Sequence, residues 1–219
     1  MGLHHMMEEH EKMVILTRRG AILGAATLPL MPAFASAAPA IGAPAPDFAL
    51  PDQDGGVRRL SEFRGRVVVL EFTNHDCPYV RKHYNSDNMQ GLQRDAASRN
   101  IVWLSMAASP PGEQGHVTGA QAKALTASRN AAPTAVLLDH RSQAARAYAA
   151  TTTPGMYVID AEGRLRYMGA IDSIRSARVE DVARAEPFLR DAMIAVREGR
   201  PVERAVTPPY GCVIKYVGA

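Results

Sequence analysis

The 219-residue sequence predicts an α/β fold, and three observations carry that prediction. Strand-like apolar runs alternate with stretches of helical periodicity, the pattern of helices layered on a sheet. Two runs, Val67-Val68-Val69-Leu70-Glu71-Phe72 and Ile101-Val102-Trp103-Leu104-Ser105-Met106, are nearly continuous in apolar and β-branched residues, the composition of central strands covered on both faces. A hairpin pattern followed by an amphipathic helix closes the alternation.

The elements follow in order. Residues 38–46 are a Pro/Ala-rich leader. After the first central strand, 67–72, a helix is predicted over 78–99, opened by Pro78 at a position where the missing N–H is no loss. The second strand covers 101–106, a Pro/Gly loop covers 109–115, and a helix spans 119–129. Ala135-Val136-Leu137-Leu138 is a short strand, and 142–148 is a helix. Strands 156–159 and 165–168 flank the turn Asp160-Ala161-Glu162-Gly163. Near Pro187 the last helix begins; Leu189, Met193 and Val196 recur at helical spacing until Gly199 stops it. One domain therefore covers 47–200, and 201–219 is a tail carrying Cys212. No internal repeat is present.

Hydrophobic residues make up 47% and charged residues 21%, enough for a real core and unlike a disordered or collagen-like chain. The net charge is +3, and no run of Lys/Arg exceeds a pair, so nucleic acid is not an expected partner. The 2 cysteines, Cys77 and Cys212, are too few for a disulfide scaffold or a four-thiolate zinc site. They suffice for one redox pair.

The first segment reads as an export signal over residues 1–37. Paired arginines in Thr17-Arg18-Arg19-Gly20 precede the apolar stretch 20–34, and Ala35-Ser36-Ala37 supplies the small residues of a cleavage site. This resembles a twin-arginine signal peptide, which implies a periplasmic location. The stretch is shorter than the roughly 20 apolar residues of a membrane span, so no stable anchor is expected. Glu8, Glu9 and Glu11 fit a signal badly; either Met13 is the true start or an acidic extension precedes the signal.

The chemistry concentrates where the first central strand meets its helix, at Thr73-Asn74-His75-Asp76-Cys77-Pro78-Tyr79-Val80. Cys77 falls at a helix N-terminus, where unpaired amides and the helix dipole favour a thiolate. Arg81, one turn on, adds positive charge, and His75 is a tuning histidine beside the thiol. Asp76 would oppose the thiolate if it pointed the same way, so it is expected to cap the helix or face water.

These residues, together with Ala45-Pro46-Asp47-Phe48, Leu60-Ser61-Glu62-Phe63-Arg64-Gly65 and Thr153-Pro154, resemble the thioredoxin-like superfamily, and more closely its redoxin branch of alkyl hydroperoxide reductase and thiol-specific antioxidant proteins. The likeness covers about residues 44–173. It implies a thioredoxin-like fold, a central mixed β-sheet flanked by helices, with Cys77 as catalytic nucleophile. It also implies a cis bond at Thr153-Pro154, with Pro78, Thr153 and Pro154 as substrate contacts. Two departures stand out. Val80 occupies the second thiol position of a Cys-x-x-Cys motif, so no local dithiol exists. Asn74 and Leu70 stand where the peroxiredoxin pattern has threonine and proline, with Thr73 displaced by one, and Arg129 and Arg146 are both candidates for the arginine that would polarise a peroxide.

Cys212 has two readings, a resolving thiol for Cys77 or half of a static disulfide that would stabilise the chain by about 5 kcal/mol on chain-entropy grounds. His75, Cys77 and His83, with Met89, form an alternative soft-metal set suited to copper. The leading expectation is an exported thiol oxidoreductase without a cofactor, acting on a hydroperoxide or a disulfide and returned by a thiol reductant. The alternative is a non-catalytic binding module or copper carrier on the same fold.

Overall fold

A computed structural model describes residues 39–218 of the chain; the segment 1–37, expected from the sequence to be an export signal, lies outside the described residues. Five strands form the central sheet: β3 (Val68–Thr73), β4 (Val102–Ala107), β5 (Ala135–Leu138), β7 (Gly155–Ile159) and β8 (Leu165–Gly169). Their spatial order is β5-β4-β3-β7-β8, with β3, β4 and β5 parallel and β7 and β8 antiparallel. The sheet is therefore mixed and flanked by helices, the thioredoxin-like arrangement that the resemblance implied. Before it come a small hairpin, β1 (Ala49–Pro51) with β2 (Val57–Arg59), and a 3-10 helix at Leu60–Phe63.

Because side chains alternate along a strand, β3 fills two cores. Val69 faces a layer with Val80, Leu92, Trp103, Leu189 and Met193, built by α1 (Pro78–Asn85), α2 (Asn88–Ser98) and α5 (Phe188–Arg197). Val68, Leu70 and Phe72 face the other layer, with Phe48, Leu104, Leu137 and Tyr148, the last just after α4 (Gln143–Ala147). Burial on both faces is what the unbroken apolar runs of β3 and β4 required. α3 (Gly119–Ser128) packs Ala122 against Ala107 of β4 and Val136 of β5, its start held by Thr118, whose hydroxyl accepts from the Gln121 amide at 3.3 Å.

One expected element is corrected. The single helix over 78–99 is two helices, broken at Ser86 and Asp87, the latter in the left-handed region with φ 58°. The Ser86 hydroxyl donates to the His83 carbonyl at 3.2 Å, and Asn88 bonds the His83 ring at 2.8 Å. Ser, Asp and Asn compete with the helical ladder through such local bonds. The apolar stripe continues across the break through Tyr84, Met89, Leu92 and Ala96, which hid it from periodicity.

The tail is an ordered strap. It joins β8 at Val206 and Met168, then forms β9 (Cys212–Val213) against β6 (Thr152–Thr153), with Thr152 opposite Val213 and Thr153 opposite Cys212. Tyr210 packs into the α1/α5 layer and Ile214 into the opposite one, so the strap crosses the end of the sheet with Cys212 between the two anchors. Among the described residues no helix is long and apolar enough to cross a membrane.

Candidate active site

β3 delivers the chain into the loop 74–76, and Cys77 becomes the N-cap of α1, with Pro78 in its first turn. The loop is tied by its own polar groups: the Cys77 amide donates to the Asn74 carbonyl at 3.1 Å, and the Asp76 amide to the Asn74 side chain at 2.9 Å. Asn74 in turn donates to the Gln114 carbonyl at 3.2 Å, and it fills the space where a Cβ on Gly115 would stand. Cys77 is buried, 0% exposed, while Pro78 beside it is exposed.

The Cys77 thiol donates to the Thr153 carbonyl at 3.1 Å. The Thr153-Pro154 bond is cis, and both residues are buried. Across the ladder from Thr153 stands Cys212, so its thiol meets Cys77 without any motif in the local sequence. Gly211 makes this approach feasible: its φ is +136°, and a Cβ there would overlap the Thr153 carbonyl. Burial raises the Cys212 pKa, and Cys77 beside it raises it further. Cys212 thus holds its proton more firmly than an ordinary thiol. Both cysteines are free.

The other expected residues separate. Arg81 is exposed; it pairs with Asp76 at 3.1 Å and donates to the His75 carbonyl at 3.1 Å, so its charge is answered by Asp76. Asp76 faces Arg81 and His75 and does not cap the helix. Burial holds the His75 pKa below the usual value against the opposing pull of Asp76, with Arg129 and Arg81 lowering it further. Arg129 reaches this loop, donating to the His75 carbonyl at 3.2 Å and lying 4.7 Å over the Tyr84 ring. Arg146 lies elsewhere, 4.8 Å over Tyr216.

The copper set is not assembled. His83 is fully buried, bonded to Tyr210 at 3.2 Å and to Asn88, and Met89 sits in the core. Among the described residues no three His, Cys, Asp or Glu side chains converge as metal ligands.

Two buried polar clusters were missed. Glu71, 0% exposed in the middle of β3, accepts from Trp103 Nε1 at 2.8 Å, Ser105 Oγ at 2.9 Å and Tyr84 at 2.9 Å. Burial raises its pKa, against the lowering effect of those bonds. Its signal was present: a carboxylate inside an apolar strand must find donors or lose its charge. The second cluster joins Lys82, Asp172, His83 and Tyr210 under α1. Lys82 Nζ donates to Asp172 at 2.9 Å and to the Ile174 carbonyl at 2.9 Å, and the Tyr210 hydroxyl donates to Asp172. No local signal marks it, since its members come from α1, the segment after β8, and the tail.

A buried thiol at a helix N-terminus, a cis-proline loop facing it and a second thiol brought alongside define a thioredoxin-fold dithiol protein. The AhpC/TSA family matches residues 41–168, and the chain belongs to that family. It is 26% identical over 134 residues to the thiol-disulfide oxidoreductase ResA of Geobacillus thermodenitrificans, covering 58% of this chain and 67% of that protein. Among solved structures it is similar to a hypothetical protein of Sinorhizobium meliloti 1021, with a TM-score of 0.69 and 25% identity over 82% of this chain and 96% of that one. It is equally similar to an uncharacterized conserved protein of Geobacillus kaustophilus, with a TM-score of 0.69 and 26% identity over 82% and 94% of the two chains.

Proposed function

We propose that the protein is a thiol-disulfide oxidoreductase in which Cys77 is the nucleophile and Cys212 the resolving thiol. The observation that carries this reading is the meeting of the two thiols across the β6–β9 ladder, with Cys77 bonded to the Thr153 carbonyl. The Cys77 thiolate attacks one sulfur of a substrate disulfide, forming a mixed disulfide and releasing one substrate thiolate, which takes a proton from water. Once Cys77 is bonded, its influence on Cys212 is lifted and burial alone holds the Cys212 proton, which passes to the departing substrate thiolate as Cys212 attacks. The attack falls on Cys77 Sγ, the second substrate thiol leaves, and a Cys77–Cys212 disulfide remains. A dithiol reductant returns the pair. The ResA likeness supports disulfide over peroxide chemistry, as do Asn74 in place of threonine and an Arg129 engaged with His75 and Tyr84.

The test is treatment of the reduced protein with 2-hydroxyethyl disulfide followed by peptide mass analysis. A linked Cys77 and Cys212 peptide pair is expected, and Cys212→Ser should accumulate the mixed disulfide at Cys77. A Cys212 that stays fully alkylatable after Cys77 is oxidised overturns its resolving role.

We also propose export by the twin-arginine route, on Arg18-Arg19, the apolar stretch after them and Ala35-Ser36-Ala37. Residues 13–40 fused to a reporter active only after folded transport should deliver it, and Arg18→Lys with Arg19→Lys should stop delivery.

A further inference from the structure

The edge of β6 is the place where a second thiol is presented to Cys77. The strap demonstrates the geometry: its backbone runs antiparallel to Thr152–Thr153, Cys212 lies opposite Thr153, and the Ile214 amide donates to the Thr151 carbonyl at 2.9 Å. A polypeptide offering its own disulfide to Cys77 in this extended manner has to pair with the same edge. That edge is taken.

The strap is also fastened on both sides of the crossing. Upstream, the Thr207 amide donates to the Met168 carbonyl at 3.1 Å, and Tyr210 is buried against Tyr79, with ring centroids 5.8 Å apart, while its hydroxyl donates to Asp172 beside buried Lys82. Downstream, Ile214 is buried and the Val217 amide donates to Ser142 at 3.0 Å. Gly211 lies between these anchors at the point of closest approach, where any side chain would meet the Thr153 carbonyl and the Pro154 ring.

We infer that the tail strand fills the polypeptide-binding edge of the site, so that Cys77 exchanges with small disulfides and discriminates against extended polypeptide ones, with Gly211 and Tyr210 as the residues that set this specificity. The inference rests on the proposed disulfide chemistry and adds its substrate class. Cys77 is 0% exposed, so a small disulfide needs a local shift beside Cys212 and no more. An extended polypeptide needs the loss of both register pairs and of the Ile214 bond before it can dock.

Two probes with the same leaving group separate the cases. One is 5,5′-dithiobis(2-nitrobenzoate); the other is a short unstructured peptide whose central cysteine carries 5-thio-2-nitrobenzoate. In each, the Cys77 thiolate attacks the disulfide, forms a mixed disulfide and releases a thiolate that absorbs visible light. The full chain with Cys212→Ser keeps the strap and removes the competing thiol. There the small probe should label Cys77 at least about tenfold faster than the peptide. Adding Gly211→Val should narrow that ratio severalfold by speeding the peptide reaction alone. Tyr210→Phe, which keeps the ring and loses the hydroxyl anchor, should shift it the same way by less, so a misfolded valine variant does not end the test. A ratio near one with the strap intact, or one unmoved in both variants, overturns the inference while leaving the dithiol chemistry standing. Failure of the small probe to label Cys77 overturns the proposed chemistry and this inference with it.

Discussion

Lys82 and Asp172 form an ion pair at 2.9 Å with side chains only 0% and 5% exposed. The pair ties α1, whose N-cap is Cys77, to the segment after β8, and Tyr210 ties the strap to both. The nucleophile and the strap that carries Cys212 therefore share one buried anchor.

Removing one partner of such a pair leaves an uncompensated buried charge. Asp172→Asn should cost about 3–5 kcal/mol of folding stability, measured by denaturant titration. Tyr210→Phe should cost less, about 1–2 kcal/mol, because the hydroxyl donates one bond to a charged acceptor. Alkylation of Cys212 in native conditions should quicken in both. A loss under about 1 kcal/mol in Asp172→Asn would mean that water reaches the pair.

Cys212 should alkylate slowly at neutral pH, since burial foremost, and Cys77 next, hold its pKa above the ordinary thiol value. Cys77→Ser removes the second influence and leaves the first. The rate profile of Cys212 alkylation should thus move to lower pH in that variant and stop short of the value of about 8.5 for a free thiol. An unchanged profile would separate the two thiols electrostatically.

Burial lowers the His83 pKa to about 4, overcoming the opposite pull of Asp172, and Lys82 lowers it further. The folded pKa lies below the unfolded one, so the unfolded chain binds more protons between them. Stability should consequently be full above about pH 6.5 and fall as pH drops towards 4, by up to about 3 kcal/mol. His83→Gln should flatten this slope, read as denaturation midpoints across that window. An equal slope in the variant would assign the acid sensitivity to other groups.

Glu71 satisfies donors from β4, α1 and α2 together. Glu71→Leu fills the space and orphans the Trp103 and Ser105 donors, each costing about 1–3 kcal/mol when left buried and unpaired. The expected result is a loss of several kcal/mol in denaturant titration, with red-shifted Trp103 emission if water enters. Near-neutral stability would show that the donors had found new partners.

The α/β class, the two central strands, the helices around the sheet and Cys77 at a helix start were all legible in the sequence, because each rests on neighbouring residues. An unbroken apolar run needs two covered faces, and Cys-Pro after a strand needs only the next turn of helix. The break at Ser86 and Asp87 was hidden because the apolar stripe passes through it. What only the tertiary structure decided is held by contacts between distant segments: Cys212 opposite Thr153, Lys82 against Asp172 and Tyr210, and the donors around Glu71. Val80 announced that no second thiol lies nearby, yet nothing local says where the remaining one goes. That place is set by the closing of the chain over the end of the sheet, where Tyr210 and Ile214 are buried on opposite faces and Cys212 and Val213 between them lie across β6.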